Sequence, residues 1–262
     1  MNAKASFAAA LTFCLVTLPL AAVIIPPGNE GWATLSSNTQ INLGQISAVS
    51  QALGAAVAGN GIAGLSGVAL NTSQLGNADA IISRGSLSGG TGSASIVALN
   101  LASTSPVKLT DGRSFSLQIC LPTGTAQPQG SVTFQPRGSN AGNMTASLPV
   151  VPLLVFTNTN NPQDMVRVDC SVVQCPSIDL TTQNAPYVLA TASQASAAGI
   201  GTLPSGNVSV ANCGGQVQVS LVGQANVYVG ATFLANGTLS PVNVQVTNAI
   251  VTHLMLPFTF NP

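Results

Sequence analysis

In residues 216–233, which read QVQVSLVGQANVYVGATF, apolar side chains alternate with small or polar ones in two runs. A period of two places every second side chain on one face of a β-strand, so each run is a half-buried strand. Gly and Asn between the runs favour a turn. The stretch therefore predicts a hairpin of residues 216–221 and 227–233. A further strand is predicted at 242–247, and the meander continues through 250–260.

Other strands are predicted upstream, where short runs of residues lie between Gly, Pro and Asn turns. They cover residues 81–84, 95–101, 114–120, 131–135, 150–156 and 166–173. Many short strands separated in this way are typical of a sandwich or a barrel. The sequence thus predicts a mostly β protein, an antiparallel β-sandwich or barrel-like domain with one or two small helices.

Two segments carry a helical pattern instead. Apolar residues recur every three to four positions over residues 42–58, and Asn42 is placed to cap the start. Gly44 and Gly54 each weaken this helix by roughly 1 kcal/mol relative to Ala, so tertiary packing has to hold it. A weaker helix is predicted over the Ala- and Ser-rich residues 187–198.

The N-terminus has the pattern of a secretory signal peptide. Lys4 is followed by an uncharged apolar run through Leu20, and two alanines follow where cleavage is expected. Residues 1–22 are predicted to be removed, leaving 23–262 as a single extracellular mostly-β domain. The run is short for a spanning helix, so no transmembrane anchor is expected. The apolar tail at 249–260 leaves a removable lipid-anchor signal open, although it fits a last core strand equally well.

Charge is scarce in this chain. Only 5% of the residues are charged and the net charge is zero, whereas soluble domains usually carry about a quarter. A nucleic-acid partner needs clustered Lys and Arg, so none is predicted. The outward positions of the C-terminal strands are neutral hydrogen-bonding residues, where ordinary β proteins place charges that block edge pairing. These residues are Gln216, Gln218, Ser220, Asn243, Gln245 and Thr247.

Four cysteines remain after the signal peptide: Cys120, Cys170, Cys175 and Cys213. An even number in a secreted chain indicates two disulfides, with three pairings open. The closeness of Cys170 and Cys175 favours a local bridge, which leaves a long-range bridge between Cys120 and Cys213. The wider-than-usual Cys spacing and the lack of supporting His disfavour zinc. No metal site and no cofactor are predicted.

Residues suited to catalysis are few, and no GxSxG elbow, HExxH helix or phosphate loop occurs. His253 is the single histidine and lies in an apolar run, which favours a structural or surface role over that of a catalytic base. No carboxylate pair stands out for glycoside hydrolysis among the acids. These acids are Glu30, Asp79, Asp111, Asp164, Asp169 and Asp179.

Two polar segments are interpreted as turns. The sequence Asp111-Gly112-Arg113 predicts a structural turn between strands, with Arg113 available to a carboxylate. Residues 158–164 offer oxygen atoms to calcium, but they lack the acidic spacing of a calcium loop. A loop made of Asx turns is the favoured interpretation there.

Four sequons make Asn71, Asn143, Asn207 and Asn236 candidate glycosylation sites, although this composition yields about that many by chance. Asn143 is expected in an exposed loop and Asn236 in a turn. Trp32, the single tryptophan, is interpreted as a packing anchor on an extended lead-in, with carbohydrate contact as the functional alternative.

These features predict a non-catalytic secreted structural, cell-surface or matrix protein with a neutral, hydrogen-bonding β surface. Its expected partner is a second copy of itself or a neutral polysaccharide. A carbohydrate-binding module is the first alternative, with Trp32, Tyr187 and Tyr228 as its aromatic candidates. A secreted hydrolase that uses His253 is the second.

Overall fold

Antiparallel strands make up most of the described chain. The structure, a computed structural model, describes residues 25, 27–32, 39–75, 78–137, 141–176, 178–189 and 204–221. For residues 32, 39 and 181–183 it describes the backbone alone, and the same holds for five short strands after residue 221. The strands up to residue 150 are β1 Gly28–Trp32, β2 Thr39–Asn42, β3 Ile62–Gly67, β4 Ala80–Arg84, β5 Thr91–Ser103, β6 Val107–Lys108, β7 Ser114–Cys120, β8 Gly130–Pro136 and β9 Ala141–Val150. The later strands are β10 Leu153–Asn158, β11 Met165–Asp169, β12 Ile178–Leu189, β13 Gly206–Asn212, β14 Gly215–Leu221, β15 Val227–Val229, β16 Ala231–Phe233, β17 Leu239–Pro241, β18 Asn243–Val246 and β19 Leu254–Pro257. Two short helices, α1 Ser47–Leu53 and α2 Thr72–Leu75, and a 3-10 turn at Leu43–Gln45 complete the described elements.

The prediction of a mostly β, antiparallel fold with small helices is confirmed. The strand predicted at 114–120 coincides with β7, and those at 81–84, 95–101 and 131–135 lie within β4, β5 and β8. Of the two architectures left open, the described strands form a sandwich-like arrangement and do not close into a barrel. Among the described residues, no helix has the length and apolar character needed to cross a bilayer.

Strand β5 joins the two layers of the sandwich because it pairs with four other strands. Residues 91–94 pair with β8 and residues 94–99 pair with β4. Residues 100–102 then pair with β7, and 101–103 with β3. Strands β7 and β8 therefore diverge from one flank of β5. Over residues 95–99 this flank has no strand partner in the described part of the chain.

The main core lies between these two layers. Strands β4, β8, β9 and β12 continue one layer, and β3, β7, β10 and β11 continue the other. Burial alternates along β9, as expected for a strand with one face on the core. Phe115 and Phe156 from one layer and Tyr187 from the other are among the largest fully buried side chains. Each such side chain contributes roughly 1.5–3 kcal/mol by leaving water.

The C-terminal hairpin differs from the prediction. Strand β14 does cover residues 215–221, but it pairs with β13 at 206–212 and not with residues 227–233. The reason is the turn at Cys213 and Gly214, whose φ angles of 45° and 82° suit the central residues of a tight two-residue hairpin turn. Strand β15 pairs with β12 instead. The predicted continuation after 242 is present as β18 paired with β19.

The helix predicted over 42–58 is much shorter in the structure. Asn42 ends β2 and makes no side-chain cap, and α1 covers only Ser47–Leu53. Gly54, at φ 70°, ends the helix in the left-handed conformation that glycine adopts most readily. The Arg113 guanidinium donates to the Leu53 carbonyl at 2.6 Å and so satisfies one of the last carbonyls of the helix.

Three other predicted boundaries are wrong for identifiable reasons. Residues 187–189 of the second predicted helix belong to β12, where all three pair with β15 and residues 187 and 188 also pair with β9. Residues 190–198 lie outside the described chain. The strand predicted at 150–156 is split before Leu153, where the chain crosses to the other layer through Pro152, which has no backbone N–H. The strand predicted at 166–173 stops at Asp169, whose carbonyl accepts from both following valines, Val172 and Val173.

Both disulfides are present with the favoured pairing, Cys120–Cys213 and Cys170–Cys175. The first bridges 93 residues and joins the end of β7 to the turn of the β13–β14 hairpin. The second closes a short exposed loop after β11. Their structural contributions therefore differ, since a cross-link removes more unfolded-chain entropy when it closes a longer loop.

Replacing Cys120 and Cys213 together by Ala should lower the free energy of unfolding by about 4–5 kcal/mol, because this bridge closes a loop of 93 residues. The matched double variant at Cys170 and Cys175, with a separation of only 5 residues, should lose about 2 kcal/mol. Urea unfolding monitored by circular dichroism measures both. Equal losses would show that the long bridge does not stabilise the protein by restricting the unfolded chain.

A buried ion pair joins β1 to β4, in the layer that contains β4, β8, β9 and β12. Glu30 Oε1 accepts from Arg84 Nε at 2.8 Å, and the two side chains are 3% and 0% exposed. The Arg84 guanidinium also lies 5.4 Å from the ring centroid of Phe134. Removing one charge of such a pair leaves the other buried without its counter-ion, which costs more than removing both.

Glu30→Leu should therefore lower the free energy of unfolding by about 3–5 kcal/mol, because Arg84 then stays buried without its carboxylate. The double variant Glu30→Leu/Arg84→Met should recover much of that loss. Urea unfolding of the two variants beside the wild type tests this. A double variant as unstable as the single one would show that the stacking of Arg84 on Phe134, and not the charge pairing, provides the stability.

Candidate functional site

A cleft of about 630 Å³ lies at the point where β7 and β8 diverge. Its floor is residues 95–99 of β5, and one wall is residues 121–127 of the loop that connects β7 to β8. Residues 210–212 and 216–219 of the β13–β14 hairpin form the other wall. The volume is within the roughly 300–1,000 Å³ range of ligand-binding clefts.

Three tethers hold the walls of the cleft. The Cys120–Cys213 disulfide fixes the hairpin turn to the end of β7. Beside it, the Asn212 amide donates to the Leu121 carbonyl at 3.1 Å. At the other end of the loop, the Gln127 side chain donates to the Val151 carbonyl at 3.1 Å and accepts from its N–H at 2.9 Å. The cleft is therefore a preformed feature of the fold.

A second apolar cluster also supports the inner face of the β13–β14 hairpin. Its inward residues, among them Val208, Val210 and Val219, pack on α2 and on the outer face of β4 and β5 through Leu75, Ile81 and Ala98. On the neighbouring side, the Ala211 N–H donates to the Leu70 carbonyl at 2.8 Å. This packing gives the hairpin a fixed position although it forms a separate two-stranded sheet in the described chain.

The lining of the cleft is neutral. None of the described lining residues is ionisable, and none is aromatic. The floor is mostly apolar, and the polar groups of the walls are amides and hydroxyls such as Gln218, Thr123 and Thr125. Acid–base chemistry needs a titratable group within hydrogen-bond reach of the reacting atom. The described lining supplies none and is suited to holding an uncharged ligand.

The outward face of the hairpin carries half of the predicted neutral row. Gln216, Gln218 and Ser220 are exposed on β14, and the facing residues on β13 include the exposed Asn207 and the partly exposed Ser209. The Ser209 hydroxyl donates to the Gln216 amide oxygen at 2.8 Å. The side chains of Asn243, Gln245 and Thr247 lie outside the described residues.

Several of the acidic side chains have structural partners. Glu30 is paired with Arg84 in the interior. Asp164 accepts from the Asn158 amide at 2.9 Å, and Asp169 accepts from the backbone N–H and the hydroxyl of Ser171. No group of three or more His, Cys, Asp or Glu side chains in the described chain is arranged to hold a metal ion.

The two predicted turns are confirmed. Asp111 accepts from the Arg113 guanidinium and backbone N–H, and these hydrogen bonds hold the pKa of the Asp111 carboxyl below its usual value. In residues 158–164, Asn158 Oδ1 accepts from the Asn160 N–H and Asn161 Oδ1 from the Gln163 N–H, as in Asx turns. Both segments fix the backbone of loops.

The aromatic candidates do not form a row in the described chain. Tyr187 is buried in the main core at 1% exposure, packs edge-to-face on Phe134, and its pKa is raised by desolvation. It is therefore wrong as a carbohydrate contact. Trp32 and Tyr228 lie on β1 and β15, but their side chains are outside the described residues, as is the whole of His253.

The sequons have different surroundings. Asn71 caps α2, because its Oδ1 accepts from the N–H groups of Ser73 and Gln74, and its amide donates to the Ser209 carbonyl at 2.8 Å. Asn143 is half-buried inside β9 and not in an exposed loop, since β9 pairs on both sides with β8 and β12. Asn207 is exposed on β13, and Asn236 lies outside the described residues.

Comparison of the chain with protein-family models, curated proteins and solved structures finds no match to any of them.

Asn71→Ala should lower the free energy of unfolding by about 1–2 kcal/mol, because the cap of α2 and the hydrogen bond to the hairpin are both lost. The matched variant Asn207→Ala removes an exposed amide from the same hairpin and should change stability by less than about 0.5 kcal/mol. Chemical unfolding of both variants in unglycosylated form tests this. Equal effects would rule out Asn71 as the link between α2 and β13.

Proposed function

We propose that this chain is a non-catalytic extracellular structural or cell-surface protein that associates with further copies of itself through its neutral β surface. The observation that carries the proposal is the β13–β14 hairpin, which presents Gln216, Gln218 and Ser220 to solvent on a strand whose outer edge has no strand partner in the described chain. An open edge pairs readily with another strand unless charged side chains oppose it.

The location outside the cell rests on two features. The predicted signal peptide at residues 1–22 directs the chain to the secretory route. The two disulfides are typical of proteins that fold and act in an oxidising compartment. In such a setting the low content of charge leaves hydroxyl and amide groups as the main polar groups of the surface.

The non-catalytic assignment is supported by the roles of the acidic side chains. Glu30, Asp111, Asp164 and Asp169 each hold a neighbouring group in place, and none of them lines the cleft. The two alternative functions gain no specific support. A carbohydrate-binding module loses Tyr187 as an aromatic contact, and a hydrolase depends on His253, which lies outside the described residues.

The proposal predicts self-association of the mature protein that grows with concentration and is weakened by charge on β14. Gln218→Lys/Ser220→Lys places two cations on the open strand, where like charges on two copies repel. Gln163→Lys is the matched control, since it adds a cation to the exposed 158–164 loop, outside any strand. Sedimentation velocity at several concentrations, alone and with insoluble neutral polysaccharides, measures the association.

The expected result is a sedimentation coefficient that rises with concentration for the wild type and Gln163→Lys and stays constant for the double lysine variant. Pelleting with a polysaccharide, without self-association, would replace the proposal by the carbohydrate-binding alternative. A protein that stays monomeric and binds none of the polysaccharides would contradict both the proposal and the carbohydrate-binding alternative.

A further inference from the structure

We infer that the cleft binds an extended, uncharged polypeptide segment, which pairs with β14 as the third strand of the hairpin sheet. This inference rests on the proposed function, for which it names the chemistry of the partner and the place of contact.

The outer edge of β13 is already occupied. The Leu70 carbonyl accepts from the Ala211 N–H, and the Asn71 amide donates to the Ser209 carbonyl. Alternate residues of an antiparallel strand direct their backbone groups to opposite sides. Ser209 and Ala211 therefore direct their backbone groups away from β14.

The outer edge of β14, unlike that of β13, is open to a further strand. Gln218 faces Ser209 and Gln216 faces Ala211 in the hairpin register, so Gln216, Gln218 and Ser220 direct their N–H and C=O groups away from β13. No strand of the described chain pairs with this edge. Because residues 216–219 line the cleft, the unpaired edge borders the space that the cleft encloses.

The shape of the cleft suits an extended chain. Residues 216–220 span about 16 Å at roughly 3.3 Å per residue, which is the length of a five-residue strand. The floor at 95–99 is itself a strand, and the loop 121–127 closes the far side. Since the disulfide, Asn212 and Gln127 fix both walls, little ordering of the protein is needed on binding.

The lining of the cleft determines which kind of polypeptide segment can bind there. A charged side chain that entered the cleft would lose water without gaining a counter-charge, because no described lining residue is ionisable. Sugar rings are usually held by stacking on aromatic side chains, and no described lining residue is aromatic. Small apolar and hydroxyl side chains on an extended backbone match both the apolar floor and the neutral walls, as in other cases of strand addition.

The test uses the mature protein and a capped, fluorescein-labelled peptide of sequence Thr-Val-Thr-Val-Thr, with binding measured by fluorescence anisotropy. Two peptides serve as comparisons: one methylated on alternate backbone nitrogens, and one with Lys in place of each Val. The methylated peptide keeps its side chains but loses edge hydrogen bonds, and the Lys peptide keeps its backbone. Both should bind about tenfold more weakly or worse, since each lost hydrogen bond or uncompensated charge reduces affinity.

Two protein variants locate the site. Ala126→Trp places a large ring on the exposed loop wall, and its matched control Ala52→Trp places the same ring on the exposed face of α1, outside the lining. Gln218→Pro removes an N–H that points away from β13, which an edge strand tolerates. Ala126→Trp and Gln218→Pro should weaken peptide binding by about tenfold or more, and Ala52→Trp should leave it unchanged. Circular dichroism establishes that each variant is folded.

Equal binding of the methylated and unmethylated peptides, or unchanged binding by folded Ala126→Trp and Gln218→Pro, would overturn the inference. Binding of cellohexaose in the cleft with no binding of the peptide would overturn it as well. The proposed function fails separately, because it requires self-association in sedimentation. If the protein binds the peptide but stays monomeric, the inference about the cleft holds and the proposed self-association is wrong. If the protein does not bind the peptide and Ala126→Trp still self-associates, the proposed self-association holds and the inference about the cleft is wrong.

Discussion

The covalent bond between Cys120 and Cys213 determines where the β13–β14 hairpin lies. The hairpin pairs with no strand of the main sheet in the described chain, so backbone hydrogen bonding of the usual ladder kind does not position it. The disulfide fixes its turn, Asn71 and Leu70 hold the edge of β13, and a second apolar cluster supports its inner face. The cleft exists because these contacts hold the hairpin above the point where β7 and β8 separate.

That separation in turn follows from the length of β5. Its 13 residues are enough to pair with β4 and β8 at one end and with β3 and β7 at the other. A shorter strand would belong to one layer only, and the two layers would then need a different connection. The irregular register between Ile81 and Ile82 accompanies this change of direction, as bulges do where a strand bends between sheets.

Local patterns allowed prediction of much of the secondary structure but little of the site. Alternation marked β14 correctly because the strand has one face on a core, and cysteine spacing favoured the observed bridges. The partner of β14 was missed because β13 was not recognised, although Val208 and Val210 alternate with Asn207 and Ser209 in the sequence. The cleft itself depends on contacts between distant segments, such as Gln127 with Val151, and no local pattern contains them.

The long disulfide also affects how the protein withstands proteolysis. The loops 121–127, 158–164 and 171–174 all lie between Cys120 and Cys213 in sequence. A protease that cuts any one of them leaves two pieces that remain covalently joined through Cys120 and Cys213, so the chain is not lost as separate fragments. In topological terms, residues 120–213 form a ring that the disulfide closes, so a single cut opens the ring but leaves all of its residues covalently connected.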